Sequence, residues 1–195
     1  MTPQTKNKFD EMRAQSIEKI TQAALELFTD VGYHKTTISM IAAKAGISTG
    51  LMYNYYKTKE ELLEVLASNN FRKAREGMRM LKDADGAEVV SAIIKGLNGL
   101  SDHERARNSK LALFLLTQPD VPDSVAKIAR EFTAESYDFQ EGLFAKMGAE
   151  NPKLNALLLS AIIGGVRLQY FMFGDKYPLK EMVELIADNH LFKPK

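Results

Sequence analysis

Residues 42–56, Ala42-Ala43-Lys44-Ala45-Gly46-Ile47-Ser48-Thr49-Gly50-Leu51-Met52-Tyr53-Asn54-Tyr55-Tyr56, decide the reading of this chain. A short helix ends at Gly46, a residue suited to a left-handed C-terminal turn. Two positions on, Ser48 is placed as the N-cap of a second short helix, expected over 49–56. Met52 and Tyr56 are four apart and turn inward with Ile38, Ile41 and Ala42. Thr49, Gly50, Tyr53 and Asn54 then share the outer face, which is small, polar or hydroxyl-bearing. Gly50 lets another backbone approach closely. The free amides near Ser48 and Thr49, at the positive end of the helix, are expected to attract a phosphate.

Two short helices meeting at Gly46-Ile47-Ser48 form the helix-turn-helix pattern, whose second helix enters the major groove of DNA. Upstream, Ile17, Ile20, Ala24, Leu27, Phe28 and Val31 fall at steps of three and four, one stripe of an amphipathic helix closed by Gly32. Phe9, Met12 and Arg13 lie in phase with that stripe. Thr36 or Thr37 caps the next helix, whose inner face is Ile38, Ile41, Ala42 and Ala45. Downstream, Thr58-Lys59-Glu60-Glu61 reads as a capping box opening a long helix toward Leu81. A polar break at 82–86 follows, then helical segments at 87–97, 102–117, 124–147, 153–173 and 179–191. The breaks between them carry Gly, Pro, Asn or Asp. No strand-like alternation of useful length occurs, so the fold class is all-α.

The run Ala23-Ala24-Leu25-Glu26-Leu27-Phe28, Gly32-Tyr33, Thr36-Thr37-Ile38, Ile41-Ala42, Ala45-Gly46-Ile47-Ser48, Gly50, Tyr53-Asn54-Tyr55-Tyr56 and Lys57-Thr58-Lys59-Glu60-Glu61-Leu62 resembles the TetR family of bacterial transcriptional regulators. The similarity covers about residues 16–66. It implies a homodimer of about nine helices per chain. Residues 1–60 would be a three-helix DNA-binding head, and residues 61–195 a helical effector-binding and dimerisation domain. It implies a double-stranded DNA operator as partner and a small-molecule effector that alters operator affinity, with repression as the expected outcome. Carried over by position, Thr37, Ser48, Thr49, Gly50, Tyr53, Asn54, Tyr55 and Lys59 are the DNA contacts. Lys59 and Tyr55 are expected on phosphates, Asn54 and Thr49 on base edges. Thr49 departs from the longer or basic residue often found there, which limits its readout to a methyl or water-mediated contact.

The same resemblance pairs the last two long helices with their twins in a four-helix bundle. The adjacent Gly164-Gly165 within 153–173 suggests the close approach of another backbone. Leu158, Ile162, Gly165 and Leu168 are therefore the expected dimer face. Met78, Phe114, Phe132, Tyr137 and Tyr170 are candidates to line an apolar effector pocket, although residues at helical spacing are more often plain core. Arg167 interrupts the apolar stretch; it would pair with an anionic ligand or, the preferred reading, form a salt bridge at the rim of the dimer contact.

Composition narrows the remaining classes. The chain has 195 residues, 45% hydrophobic and 26% charged, with no Cys. That composition is globular, and it excludes disulfide frameworks, thiolate metal sites and cysteine nucleophiles. Residues 1–60 hold eight Lys and Arg against six Asp and Glu, so the small positive excess of the chain lies in the head. His34, His103 and His190 are scattered, and no phosphate loop, nucleophile elbow or dinucleotide fingerprint occurs, so no cofactor, metal or catalytic activity is expected. No secretory h-region occupies the first fifteen residues. The apolar stretch 154–173 is interrupted by Asn155, Ser160, Arg167 and Gln169, so the chain reads as soluble and cytoplasmic with no membrane partner. The alternative from another class is a helical small-molecule binder or enzyme whose head no longer meets DNA.

Overall fold

The structure, a computed structural model, describes residues 3–118 and 120–188, without the side chains of residues 3–7, 9 and 87. Among them the helices are α1 (Pro3–Asp30), α2 (Ile38–Ala45), α3 (Thr49–Met52), α4 (Lys59–Met80), α5 (Gly86–Asn98), α6 (His103–Thr117), α7 (Asp123–Lys146), α8 (Pro152–Phe173) and α9 (Leu179–Ala187). Short 3-10 turns at Gly99–Ser101 and Gly174–Lys176 follow α5 and α8, and no strand is present among the described residues. The chain divides into two compact units, residues 1–67 and 68–195, and the division falls inside α4.

In the first unit α2 packs on α1 and on α3. Ile20, Ala23, Ala24, Leu25 and Phe28 of α1 are buried with Ile41 and Ala42 of α2 and with Leu62, Leu63, Leu66 and Ala67 of α4. The stripe predicted from spacing is corrected at both ends. Met12 is exposed, and so is Val31. Val31 follows the last turn of α1, where Gly32 reverses the chain at φ 97°. That reversal brings Tyr33 edge-on to Phe28, ring centroids 5.2 Å apart, and Tyr33 takes the inner place instead. Phe9 lies outside the described side chains.

In the second unit α7 packs on α8 and α6, and α5 on α9. Its core joins Leu97, Leu100, Phe144, Leu159, Val166, Tyr177, Val183 and Ile186. Asp85 and Glu88 form a reciprocal capping box that starts α5, and Asp102 accepts from the Arg105 amide at 2.9 Å to start α6. The expected last helix ends at Ala187 rather than 191; positions 189–191, with His190, lie outside the described residues. By length and composition α8 with its following turn could cross a membrane, yet it buries Ala156, Leu159 and Val166 against the core of its own unit.

Candidate nucleic-acid interface

The head builds its outer face from two capped helices. Thr37 sits in extended conformation before α2, and its Oγ1 accepts from the Met40 amide at 3.2 Å. Gly46 ends α2 with φ 71°, a left-handed conformation that glycine adopts without steric penalty. Ser48 Oγ then accepts from the Leu51 amide at 3.1 Å and starts α3. Each cap satisfies one amide that the first helical turn leaves without a backbone partner.

The second helix is shorter than expected. Regular α-helix covers Thr49–Met52, after which Asn54 and Tyr55 donate to the carbonyls three residues back. Tyr53 to Tyr56 are all modest helix formers. Lys57 Nζ also donates to the Tyr53 carbonyl at 2.5 Å, closing the turn. Tyr56 still donates to Met52 O at 3.0 Å, so it stays in phase, and both Met52 and Tyr56 are buried as the spacing predicts. A four-residue helix carries little macrodipole, and Ser48 satisfies the Leu51 amide in its first turn.

The outer face is open. Tyr53 is 45% exposed, and Thr37, Ser48, Gly50 and Asn54 are exposed around it, with Thr49 half-buried. Leu51, 40% exposed, joins this face and was not read from the sequence. An exposed leucyl group beside polar side chains suits the methyl of thymine, which the major groove displays.

One of the two expected phosphate contacts is engaged elsewhere. Lys59 Nζ donates to the carbonyls of Tyr33 at 3.1 Å, Thr36 at 3.3 Å and His34 at 3.4 Å, and it lies 4.5 Å from the centre of the Tyr33 ring. Its three donors therefore hold the loop between α1 and α2. Tyr55 is half-buried with the Arg13 guanidinium 5.7 Å over its ring. Lys35, exposed in the same loop two residues before Thr37, is a cation that the sequence reading passed over.

Glu60 and Glu61 complete the support of the head. The Tyr33 hydroxyl donates to Glu60 at 3.0 Å. Burial first, then this bond and the Glu60 charge, push the Tyr33 pKa well above its ordinary value, so the hydroxyl keeps its proton. The Glu60 carboxyl is held below its ordinary range by its own backbone amide first, then by Tyr33, Thr58 and Lys59, with partial burial opposing. Thr58 Oγ1 accepts from the Glu61 amide at 3.0 Å as the capping box requires. Glu61 reaches one residue further back than predicted, accepting from the Lys57 amide at 2.7 Å.

In the second unit the expected pocket residues do not converge. Met78 lines an apolar cleft of about 280 Å³ between α4, α5, α7 and α8, with Ile93, Phe139 and Ile163. Phe132 lines a more polar cleft of about 780 Å³ and stacks on Phe71 at 4.5 Å. Tyr137 lines a third, separate cleft beside Leu115 and Arg130. Phe114 lines none of these three. Tyr170 packs against the core, edge-on to Tyr177 and Phe171, because its position on α8 faces α9 rather than the clefts. The expected dimer residues Leu158 and Leu168 are exposed at 45% and 54%. Gly165 is half-buried, and Ile162 leans into the core. Among the described residues no group of three or more His, Asp or Glu gathers as a metal site.

Comparison with known proteins agrees with this geometry. The family described as "Bacterial regulatory proteins, tetR family" matches residues 20–66. The transcriptional regulator BetI of Serratia proteamaculans is 32% identical over 184 residues, covering 90% of this chain and 91% of its own. Two solved structures share the fold. MbdR from Azoarcus sp. CIB superposes with a TM-score of 0.79 at 22% identity, over 92% of this chain and 98% of its own. AibR, solved in complex with isovaleryl coenzyme A and operator DNA, superposes with a TM-score of 0.71 at 15% identity, over 88% and 96%. The helical head with its open Tyr53 face, and a relative matched almost end to end, make this chain a member of the TetR family of bacterial regulatory proteins.

Proposed function

We propose that the protein is a cytoplasmic, homodimeric transcriptional repressor that grips operator DNA with two α2–α3 heads and is released by a small molecule held in residues 68–195. The observation that carries this reading is the division of α3 and the turn after it: Met52 and Tyr56 are buried, while Tyr53 and Asn54 stand in solvent. Asn54 is suited to adenine, whose major-groove edge offers a donor and an acceptor together. Thr37, Ser48, Thr49, Gly50, Tyr53 and Tyr55 would set the register on the backbone and grooves. Lys35 would supply charge that Lys59 spends on the loop.

Two heads meeting successive major grooves must lie about 34–36 Å apart. A ligand that prefers another spacing weakens operator binding by its difference in affinity for the two forms. The head and the effector unit are joined through α4, whose first turns belong to residues 1–67 and whose remainder belongs to 68–195. Leu154, Leu158, Leu168 and Met172 give α8 an exposed apolar side, which supports the dimer. A Cβ built on Gly165 meets nothing within 4 Å in its own chain. Gly165→Leu is therefore expected to disturb only a twin helix; an unchanged dimer in sedimentation at micromolar concentration would move the interface elsewhere.

The test of the main reading is gel-shift binding to the DNA upstream of the chain's own gene. Saturable, sequence-dependent binding is expected, with Tyr53→Ala losing about 1–3 kcal/mol, the scale of one good base contact. Equal binding by Tyr53→Ala, with its melting temperature unchanged, would sink the assigned face.

A further inference from the structure

Arg167 departs from its expected place at a dimer rim. On α8 it follows Leu159 and Ile163 at steps of four, and all three line the apolar cleft, on the side away from exposed Leu158 and Leu168. Its Nε is sealed from solvent with no hydrogen-bond acceptor. No carboxylate among the described residues pairs with it, and burial alone pulls its guanidinium below the ordinary arginine value. Arg167 as a whole is half-buried, but a guanidinium with a sealed Nε and no counter-charge is unfavourable, so it calls for an anion that arrives from outside.

The surroundings say where such an anion would sit. The apolar cleft and the polar cleft share Ala74, Gly96 and Arg167, so the guanidinium stands where the two meet. Ser109 Oγ, lining the polar cleft, is likewise buried without a partner. Gly77 and Gly96 line the apolar cleft from inside α4 and α5, where glycine disfavours the helix. Both glycines are exposed and a Cβ at either would meet nothing within 4 Å, so the cleft is open beside them. The volume of about 280 Å³ lies at the small end for ligand cavities, which commonly run about 300–1,000 Å³.

We propose that residues 68–195 bind a short-chain carboxylate, its hydrocarbon in the apolar cleft and its carboxylate at Arg167 and Ser109, where the two clefts meet. The planar guanidinium fork donates two parallel hydrogen bonds to a carboxylate. The acyl oxygen of a thioester is neutral and brings no such counter-charge. The inference deepens the ligand-responsive reading above and rests on it for the coupling to DNA, but binding itself is measured without DNA.

Hexanoate, hexanoyl coenzyme A, hexan-1-ol and coenzyme A are titrated into the full chain by calorimetry and thermal shift, with Arg167→Met and Gly77→Leu alongside. Hexanoate is expected to bind saturably and raise Tm, whereas hexan-1-ol and coenzyme A do not. Binding of hexanoyl coenzyme A without binding of hexanoate would overturn the counter-charge assignment. Arg167→Met is expected to weaken binding at least tenfold while its unliganded Tm stays level or rises, because a lone charge leaves the interior. Gly77→Leu, which fills the cleft, is expected to lose binding tenfold with no fall in Tm. No binding of hexanoate, equal binding by hexan-1-ol, affinity within twofold for Arg167→Met, or a lower Tm for that variant would each overturn the proposal. Binding that leaves the gel shift unchanged would count against the ligand-release reading and leave the site standing.

Discussion

The two units treat their enclosed polar groups in opposite ways. In residues 1–67 these groups close on nearby partners: Thr36 Oγ1 on the Gly32 carbonyl at 2.8 Å, Lys59 on three carbonyls, Tyr33 on Glu60. In residues 68–195 Ser109 Oγ, Arg167 Nε and Tyr177 Oη are buried with no partner among the described residues. Buried polar atoms are nearly always satisfied in folded proteins, so exceptions ask for a cause. The head is finished as it stands and presents a preset surface, which suits a part that must fit a rigid duplex. The helical unit holds unmet hydrogen-bonding capacity beside open clefts, which suits a part that is completed by what it binds.

The largest effect is expected at Met52. It is the fully buried residue of α3. Met52→Ala is expected to cost about 2–5 kcal/mol, as Met→Ala does in tight cores. Denaturant unfolding followed by hydrogen exchange should place that loss in residues 1–67 and leave 68–195 unchanged. A uniform loss would mean that the units do not differ in the way described.

Lys59 comes next. Lys59→Met should destabilise the head by about 1.5–3 kcal/mol, the scale of hydrogen bonds from a charged donor, without altering the dependence of log operator affinity on log salt. Lys35→Ala should do the reverse, flattening that slope by about one unit with no change in melting. A flatter slope for the Lys59 variant would return it to the phosphate contacts.

Ser48→Ala removes the cap of α3 and is expected to cost about 1 kcal/mol. Urea unfolding checks this against Ser48→Gly, which should cost only a few tenths. The smallest effect concerns acid. Because the Glu60 carboxyl is depressed in the folded head, its stabilisation is present above the ordinary value of 4.5 and fades as pH falls through the lower folded value. Glu60→Gln should abolish that part of the acid loss; an identical pH profile would show that the Glu60 carboxylate, held first by its own backbone amide and then by Tyr33, adds nothing to the head.

Much of this was legible in the sequence, because the signals were local. Gly46, Ser48, Thr37 and Thr58 do what caps and turns do within four residues of themselves, and Met52 and Tyr56 turn inward by spacing alone. The misses share a physical cause. Val31 and Tyr33 are two residues apart, and only the chain reversal at Gly32 decides which is buried. Lys59 looks like a helix-start lysine until carbonyls more than twenty residues upstream arrive beside it. Leu51 escaped notice because an apolar residue in a helical pattern is ordinarily read as core. Among the pocket candidates only Met78 lies in the apolar cleft, since aromatic residues at helical spacing do not reveal which neighbour each will meet.

Most of the helices, their caps, the all-α class and the family likeness of the head follow from local pattern, since each depends on residues within a turn or two of one another. That Lys59 clasps a loop, that Arg167 lines a cleft without a counter-charge, and that glycines on two helices border that cleft are consequences of packing. These outcomes depend on which distant groups the packing brings within bonding distance, and on which it leaves alone.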